Sequence, residues 1–456
     1  MKTTIKIISR FFFLSSLIGI IFLVACKSDN KTTSFQKVKH PEWSKNASIY
    51  EVNVRQFTPE GTFNAFAEHL PRLKEMGIDI LWLMPIHPIG IENRKGSLGS
   101  YYSVKDYYGI NPEFGTEDDF RNLVSKAHEL GMFVIIDWVA NHSSWDTEQI
   151  KSNPDWYTKN DKGEIIPSVP DWSDVADFNY ENPEMRNFMI EALKYWVNEF
   201  NIDGYRCDVA AMVPIDFWNK VRFELDQIKP VFMLAEANEA EMHDYAFDMT
   251  YAWDMHSLWN EIAQGKKGIN DLVNLLEAEK IKYPAHAYHM NFTSNHDENT
   301  WKGTEYERLG DAVKTFAVLS VTIPGMPLVY SGQESCLNKR LRFFDKDTID
   351  WTVDCELDEL YTTLLKLKKE NPALWNGEFG GELVRIPTSA DDKIFAFVRE
   401  KEGNKIISVF NLSDEKVDFT MNYESDMTGY TDLFTNAPFT TTLSIEPWGY
   451  LVFKKN

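Results

Sequence analysis

Three carboxylates of this chain, Asp208, Glu236 and Asp297, each follow a short apolar stretch. The preceding stretches are Gly204–Cys207, Val231–Ala235 and His289–Thr293. A single carboxylate in such a place is most often a helix N-cap. Three that converge on one pocket would instead supply a nucleophile, a general acid and a further negative charge for one reaction.

The residues beside two of these carboxylates favour different protonation states. Arg206 lies two residues before Asp208, so on a strand both side chains point to the same face. A guanidinium there favours the ionised carboxylate that a nucleophile needs, although a purely structural Arg–Asp pair has the same sequence. Glu236 follows the apolar segment Phe232–Ala235, and such surroundings raise the pKa of a carboxyl towards the range useful to a general acid.

Neutral polar groups lie near the same predicted positions. Asn141 and His142 follow the apolar pair Ile135-Ile136, and His296 precedes Asp297. One histidine alone is more often structural, whereas two on one rim suit hydrogen bonds to sugar hydroxyls. Retaining glycoside hydrolysis requires two carboxyl groups with separated pKa values. The aromatic residues, 14% of the chain, add candidate surfaces on which a sugar could stack.

The elements that must position these groups alternate between strands and helices. The predicted strands are Ile49–Val54, Ile80–Met84, Met132–Ile136, Gly204–Cys207, Val231–Ala235, His289–Thr293 and Pro327–Tyr330, and the predicted helices are Ala65–Met76, Phe120–Leu130 and Met185–Phe200. Short apolar strands separated by helices indicate a parallel sheet covered on both faces. Roughly eight such units predict a closed α/β barrel, which places working residues at the carboxyl ends of its strands.

Two further regions differ from the rest of the chain in composition and periodicity. Residues 143–183 are rich in Trp, Asp, Pro and Asn with little periodicity, and a loop of that length is usually functional. After Pro372, alternating runs such as Ile394–Val398 and Ile406–Phe410 predict antiparallel strands. The predicted fold class is therefore α/β, a (β/α)8 TIM barrel followed by a C-terminal antiparallel β domain.

The amino terminus predicts an export signal. Three basic residues precede the apolar run Phe11–Val24, which is shorter than a membrane-spanning helix. It ends in Leu23-Val24-Ala25-Cys26, which resembles a bacterial lipoprotein box with residues 1–25 as the signal peptide; the alternative is an uncleaved anchor. We expect an exported protein, lipid-anchored through Cys26 on the periplasmic or outer-surface face of a bacterial membrane, with residues 26–41 as a flexible linker.

The composition narrows the classes of partner. Of the 456 residues, 43% are hydrophobic and 25% charged, the proportions of a globular protein. The 47 basic and 69 acidic residues give a net charge of −22, which argues against nucleic-acid binding and against charge-driven docking on anionic lipid. Four cysteines are too few for a disulfide scaffold, and the sequence leaves open whether Cys336 and Cys355 pair. We expect no organic cofactor.

Several motifs resemble the α-amylase family of glycoside hydrolases, from about Trp43 to the carboxyl terminus. The segments that match four family signatures in order are Asp137–His142, Gly204–Ala210, Leu234–Asn238 and Asn295–Asp297. The segments similar to the end of the family's domain B and to its last barrel strand are Asp177–Asn179 with Asn182–Glu184, and Ile323–Pro327 with Gly332–Glu334. Their occurrence in one order makes the resemblance specific.

The resemblance implies a role for each site residue. Asp208 would be the nucleophile, Glu236 the general acid/base and Asp297 the stabiliser of the transition state. The residues implied to contact the sugar at the cleaved bond are Tyr102, His142, Arg206 and His296. The implied domains are a catalytic barrel at residues 42–142 and 178–372, a short domain B at 143–177 after the third strand, and a C-terminal β-sandwich at 373–456.

One departure from the family concerns calcium. Many members carry Lys-His a few residues after the nucleophile, and the carbonyl of that His often binds calcium, whereas this chain has Ala211 and Met212. Asn141 with Asp174 or Asp171 would still offer the oxygen ligands that calcium prefers. A structural calcium ion on these residues and a domain B held by packing alone are both open alternatives.

The predicted function is a retaining α-glucan hydrolase that cleaves α-1,4-glucosidic bonds of starch-like oligosaccharides and polysaccharides by double displacement. One alternative is a transglycosylase or α-glucosidase of the same family, which differs in what accepts the glycosyl group. Another is a catalytically inactive barrel that binds glycans. An inactive barrel is expected to lack a catalytic carboxylate, and this sequence retains all three.

Overall fold

A computed structural model describes residues 35–455 of the chain. The predicted signal peptide, the predicted lipidation site Cys26 and the first part of the predicted linker lie outside the described residues. None of the helices within residues 35–455 has the length and hydrophobicity needed to cross a lipid bilayer.

Eight parallel strands close into a barrel, which confirms the predicted fold. The barrel strands are Ile49–Val52, Ile80–Leu83, Phe133–Trp138, Gly204–Cys207, Phe232–Ala235, Met249–Tyr251, Tyr288–Asn291 and Met326–Tyr330. Each barrel strand pairs with the barrel strand that precedes it in the chain, and the last barrel strand pairs with the first. The sequence patterns missed Met249–Tyr251, because three residues with a central Thr are too short for a recognisable apolar run.

Alternation along these strands brings polar groups to the mouth of the barrel. Ile49, Ile80 and Ile135 belong to the buried cluster inside the barrel. Side chains two residues further along a strand point the same way, so Glu51 and Asp137 also face inwards, one layer nearer the carboxyl ends. The barrel interior is therefore apolar at the bottom and carries buried charge at the top.

A glycine allows one of these strands to fit. Gly204, with φ of +149°, opens the strand that carries Arg206. A Cβ at this position would lie 1.9 Å from the carbonyl oxygen of Phe232 on the neighbouring strand. A larger residue would displace the strand and move Arg206 away from its partners.

Helices form the outer layer of the barrel and bury their apolar faces against it. The α-helices are Val54–Phe57, Phe63–Ala67, Leu70–Met76, Glu117–Glu129, Glu148–Ser152, Pro183–Phe200, Ile215–Asp226, Met242–Tyr245, Trp253–Ala263, Ile269–Lys282, Glu305–Leu309, Val313–Thr322 and Glu356–Glu370. The predicted helix Ala65–Met76 is two helices instead of one. Pro71 explains the break, because it lacks an N–H and is tolerated only in the first turn of a helix.

A small subdomain follows the third barrel strand. His142–Ser144 pairs with Val175–Asp177 in an antiparallel ladder, with His142 opposite Asp177. The chain between these strands includes the short helix Glu148–Ser152 and a 3-10 turn at Pro154–Trp156. The ladder sets His142 and its neighbours beside the barrel mouth.

The C-terminal region is antiparallel, as predicted. Five strands form one sheet, in the order Leu383–Ile386, Ile394–Lys401, Asn404–Asn411, Tyr450–Lys455 and Tyr430–Asp432, and Val417–Thr420 pairs with Thr442–Ile445 in a second sheet. A shared apolar core, including Val409, Phe419 and Phe453, lies between them. Arg399 donates to the carbonyls of Thr322 and Ile323 and so ties this domain to the barrel.

Two features change the sequence expectations. Residues 35–41 of the predicted flexible linker contact the barrel, where the Val38 N–H donates to the Asp244 carbonyl and His40 Nδ1 lies 2.7 Å from Asp248 Oδ1. The loop after the last barrel strand is closed by a disulfide between Cys336 and Cys355.

Candidate active site

The carboxyl ends of the strands bring the predicted carboxylates together around Arg206. Its Nη1 lies 3.0 Å from Asp208 Oδ1 and its Nη2 lies 2.9 Å from Glu236 Oε2. Asp297 is near enough for its charge to raise the pKa of Glu236, although burial of Glu236 has the larger effect. The three residues therefore belong to one cluster at the carboxyl ends of the barrel strands.

Arg206 is held from beneath by buried partners. Its Nη1 also donates to Asp137 Oδ1 at 2.8 Å, and its Nε donates to the Tyr251 hydroxyl at 3.1 Å. Arg206 and Asp137 are completely buried. Because a buried ion pair is stable only with good geometry and further hydrogen bonds, these contacts fix the guanidinium plane that aligns Asp208 with Glu236.

A second set of contacts fixes the third carboxylate. His296 Nε2 lies 3.3 Å from Asp297 Oδ2, and His296 Nδ1 lies 2.5 Å from Glu51 Oε1. Burial opposes the charge of His296, but Asp297 and Glu51 together raise its pKa well above the ordinary value. Burial would likewise raise the pKa of Asp297, but the positive charge of His296 lowers it. Asp297 is therefore the carboxylate of the site most firmly held in its ionised form.

The predicted sugar contacts lie beside the same cluster of carboxylates. The Tyr102 hydroxyl donates to Asp137 Oδ2 at 3.1 Å and lies 2.9 Å from His296 Nε2. His142 is buried with its ring edge-on to Trp172, and burial lowers its pKa to about 4. A neutral His142 beside an aromatic ring suits hydrogen bonding to an uncharged, hydroxylated ligand.

The protonation of Asp208 differs from the sequence expectation, whereas the raised pKa of Glu236 agrees with it. Burial raises the pKa of Asp208 well above its ordinary value, and Glu236 and Asp137 add to the rise against the opposing charge of Arg206. Burial also raises the pKa of Glu236. The contact between Arg206 and Asp208 is as predicted, and it lowers the pKa of Asp208. The expectation that this contact alone holds Asp208 ionised is wrong, because desolvation by burial outweighs one ion pair. Both carboxyls therefore keep a proton to higher pH than ordinary carboxyls do, and the charge of Glu236 contributes to this at Asp208.

The backbone after Asp208 adopts an unusual conformation. Val209 has a φ of +37°, which is rare for a β-branched residue and costs roughly 1–3 kcal/mol. In this conformation its N–H donates to Glu236 Oε2 at 2.7 Å. The strain therefore positions one catalytic candidate against the other.

Comparisons with known proteins agree with this arrangement. The family model for the α-amylase catalytic domain matches residues 27–371, and the model for the maltogenic amylase C-terminal domain matches residues 385–452. The chain belongs to the α-amylase family of glycoside hydrolases. Its barrel, small subdomain and C-terminal sheets are the parts of a hydrolase of this family.

Several members of the α-amylase family are similar to this chain over most of its length. A noncanonic maltogenic alpha-amylase, AmyB, from Thermotoga neapolitana is 30% identical with a TM-score of 0.82, covering 90% of this chain and 98% of that one. An alpha-amylase from Lactobacillus plantarum is 31% identical with a TM-score of 0.81, covering 90% and 99%. Alpha-amylase MalA of Haloarcula japonica is 28% identical over 82% of this chain, a region that spans only 56% of that protein's length.

Sequence reasoning missed several residues of this α-amylase family site. Glu51 and Tyr251 contact His296 and Arg206 from other strands, and Trp301 Nε1 donates to Asp297 Oδ1 at 3.1 Å. Glu51 had one available signal, since it is the only charged residue in the apolar strand Ile49–Val52. The other two gave no local signal.

A lysine contacts two of the residues considered for a calcium ion. Lys95 Nζ lies 3.0 Å from Asp174 Oδ1 and donates to the Asp171 carbonyl at 2.9 Å. Asn141 donates its amide N–H to Ser168 Oγ at 2.7 Å, a bond that does not involve the carbonyl oxygen with which it would bind calcium. Within residues 35–455 no group of three or more His, Cys, Asp and Glu side chains is arranged to hold a metal ion. The ammonium of Lys95 therefore lies against Asp174, where a calcium ion would have to bind.

Substitution of Lys95 by Met tests whether an ammonium takes the place of the cation. We expect the variant to lose about 1 kcal/mol of unfolding free energy, because the nearly buried carboxylate of Asp174 loses its partner. The melting temperature of the wild type should not change with a chelator, and calcium should raise that of Lys95→Met. Lys159→Met, at the exposed pair with Asp155, is the control. A wild type that melts earlier with chelator would contradict this interpretation.

Proposed function

We propose that the enzyme is a retaining α-glucan hydrolase that cleaves α-1,4-glucosidic bonds by double displacement. The observation that carries the proposal is the guanidinium of Arg206 between Asp208 and Glu236, with an oxygen of each carboxylate within 3.0 Å of it. Two carboxyls that contact the same guanidinium suit a covalent intermediate, whereas inversion needs a wider gap for water between them. The similarity to enzymes named α-amylase and maltogenic α-amylase supports an α-1,4-glucan substrate.

In the first step, an oxygen of Asp208 attacks the anomeric carbon as the bond to the leaving-group oxygen breaks. Glu236 gives its proton to that oxygen, so the departing sugar leaves as a neutral alcohol. Asp297, ionised beside His296, stabilises the positive charge that develops on the sugar ring. In the second step Glu236 takes a proton from water, and the water oxygen displaces Asp208 to restore the α configuration.

The surroundings of the pocket fit an uncharged substrate. Its buried cations, Arg206 and His296, are already paired with carboxylates, so neither is available for an anionic ligand. On the same rim, Tyr102 presents an uncharged ring and His142 a neutral imidazole that can form hydrogen bonds. A glucose unit has the hydroxyl groups to use them.

Product analysis tests this proposal. The full-length chain, purified in mild detergent, is incubated with maltoheptaose, pullulan and a small cyclic dextrin, and the products are followed by proton NMR. Short maltooligosaccharides released as the α-anomer are expected. Release of the β-anomer would contradict retention. Transfer products in place of hydrolysis would favour the transglycosylase alternative, and no cleavage with retained binding would favour an inactive glycan-binding barrel.

We also propose that the enzyme is exported and tethered by a lipid on Cys26. The disulfide between Cys336 and Cys355 supports an oxidising compartment, where such bonds persist. We expect a labelled fatty acid to be incorporated into the wild type and not into Cys26→Ser. Equal labelling of the two would contradict the lipoprotein interpretation, and Cys207→Ser, at a buried thiol, is the matched control.

A further inference from the structure

An exposed indole lies at the edge of the active site. Trp301 is 50% exposed, which makes it the most exposed aromatic residue among residues 35–455. Large aromatic side chains are usually buried, because each one removes a large apolar area from water. An exposed tryptophan beside a catalytic carboxylate therefore needs an explanation in terms of what covers it.

The indole is also held in place. Its Nε1–H donates to Asp297 Oδ1 at 3.1 Å, and its ring lies 5.3 Å from the ring of Phe343 and 5.8 Å from that of Phe344. Trp301 belongs to the single π-helical turn Glu298–Lys302, an irregularity that is frequent at functional sites. A side chain fixed on one edge and by ring contacts, with half of its surface open, is preorganised for a ligand.

The neighbouring rings connect this surface with the reaction centre. Phe343 lies nearly parallel to Tyr102, at 6.2 Å and 14°, and Tyr102 is the ring whose hydroxyl contacts Asp137 and His296. Phe343 stands in the loop that the disulfide between Cys336 and Cys355 closes. Aromatic groups thus run from the buried Tyr102 through Phe343 to the exposed Trp301.

We propose that Trp301 is a specificity-determining residue. Its exposed indole face stacks against the glucose unit that adjoins the reacting glucose on the non-reducing side. The proposal rests on the proposed function and extends it to chain length. Stacking uses the flat apolar face of a glucose ring, so it suits a neutral oligosaccharide. The hydrogen bond from the indole N–H to Asp297 gives Trp301 a second effect, because it positions that carboxylate.

Two substitutions separate these effects. Trp301→Phe keeps a flat ring and loses the N–H donor, whereas Trp301→Ala loses both. The substrates are α-glucosyl fluoride, which has no neighbouring glucose, and α-maltotriosyl fluoride, together with maltoheptaose. On the two longer substrates, we expect kcat/KM of Trp301→Ala to be about tenfold or more below that of Trp301→Phe, mainly because KM rises. On α-glucosyl fluoride, the two variants should have the same kcat/KM.

Controls keep the test independent of folding and of the proposed chemistry. Tyr423→Ala removes an aromatic ring from the C-terminal domain and should leave all three substrates unaffected. Calorimetric titration of maltoheptaose into wild type and Trp301→Ala reports binding even if no bond is cleaved, so a failure of the proposed function is distinguishable. Equal losses on short and long substrates, or equal affinities for maltoheptaose, would overturn the proposal.

Discussion

Asp208→Asn should abolish turnover of every substrate, with a fall in kcat of at least about 10⁴-fold. An amide cannot form the glycosyl–enzyme bond, and every turnover by double displacement passes through that bond. The amide has the shape of the carboxyl, and Arg206 keeps its contacts with Asp137 and Glu236. We therefore expect substrate binding to persist, as measured by calorimetric titration with maltoheptaose.

The same variant should be at least as stable as the wild type at neutral pH. Burial raises the pKa of Asp208 in the folded protein, so ionising this group costs stability as pH rises from the ordinary carboxyl range to the raised pKa. Asparagine avoids that cost, and the melting temperature at pH 7 should not fall. Asp216→Asn, at the exposed ion pair with Arg186, is the matched control and should keep full activity. Substantial turnover by Asp208→Asn would remove Asp208 from the nucleophile role.

The part of the fold that could be predicted follows from local sequence. Apolar runs such as Ile80–Leu83 are long enough to be recognised as strands, and parallel strands in a closed barrel must end at one rim. That rule alone predicts the meeting of Asp208 with Glu236. Recognition from sequence fails for the strand Met249–Tyr251. This strand has only three residues and is stabilised by its two neighbours, so its sequence shows no strand pattern.

The contacts that support the carboxylates could not be predicted in the same way. Glu51 and His296 are 245 positions apart in the chain, and only closure of the barrel between the first and last strands brings them together. The protonation of Asp208 was missed for a related reason. Its sequence neighbour Arg206 predicts a lowered pKa, but the extent of burial is a property of the whole fold and has the opposite and larger effect.

Replacement of Glu236 by Gln should have the second-largest effect, and the effect should depend on the leaving group. With maltooligosaccharides, the departing sugar needs a proton on its leaving-group oxygen. We therefore expect kcat to fall by roughly 10²–10⁴-fold. Fluoride leaves without one, so α-glucosyl fluoride should still form the covalent intermediate and give a burst of fluoride equal to the enzyme concentration. The intermediate then persists because water lacks its base, and azide, which needs none, should restore turnover. No burst and no rescue would contradict the assignment.

The pH dependence of the same variant tests the coupling of the two carboxyls. In the wild type, activity requires Asp208 ionised and Glu236 protonated, so it falls below the lower and above the higher pKa of the pair. Glu236→Gln removes a negative charge that raises the pKa of Asp208. We therefore expect two changes in the pH–activity profile of Glu236→Gln with α-glucosyl fluoride and azide. The fall in activity at alkaline pH should disappear, and the fall at acid pH should move to lower pH. An acid limb that stays in place would mean that burial alone, and not the neighbouring Glu236, determines when Asp208 becomes a nucleophile.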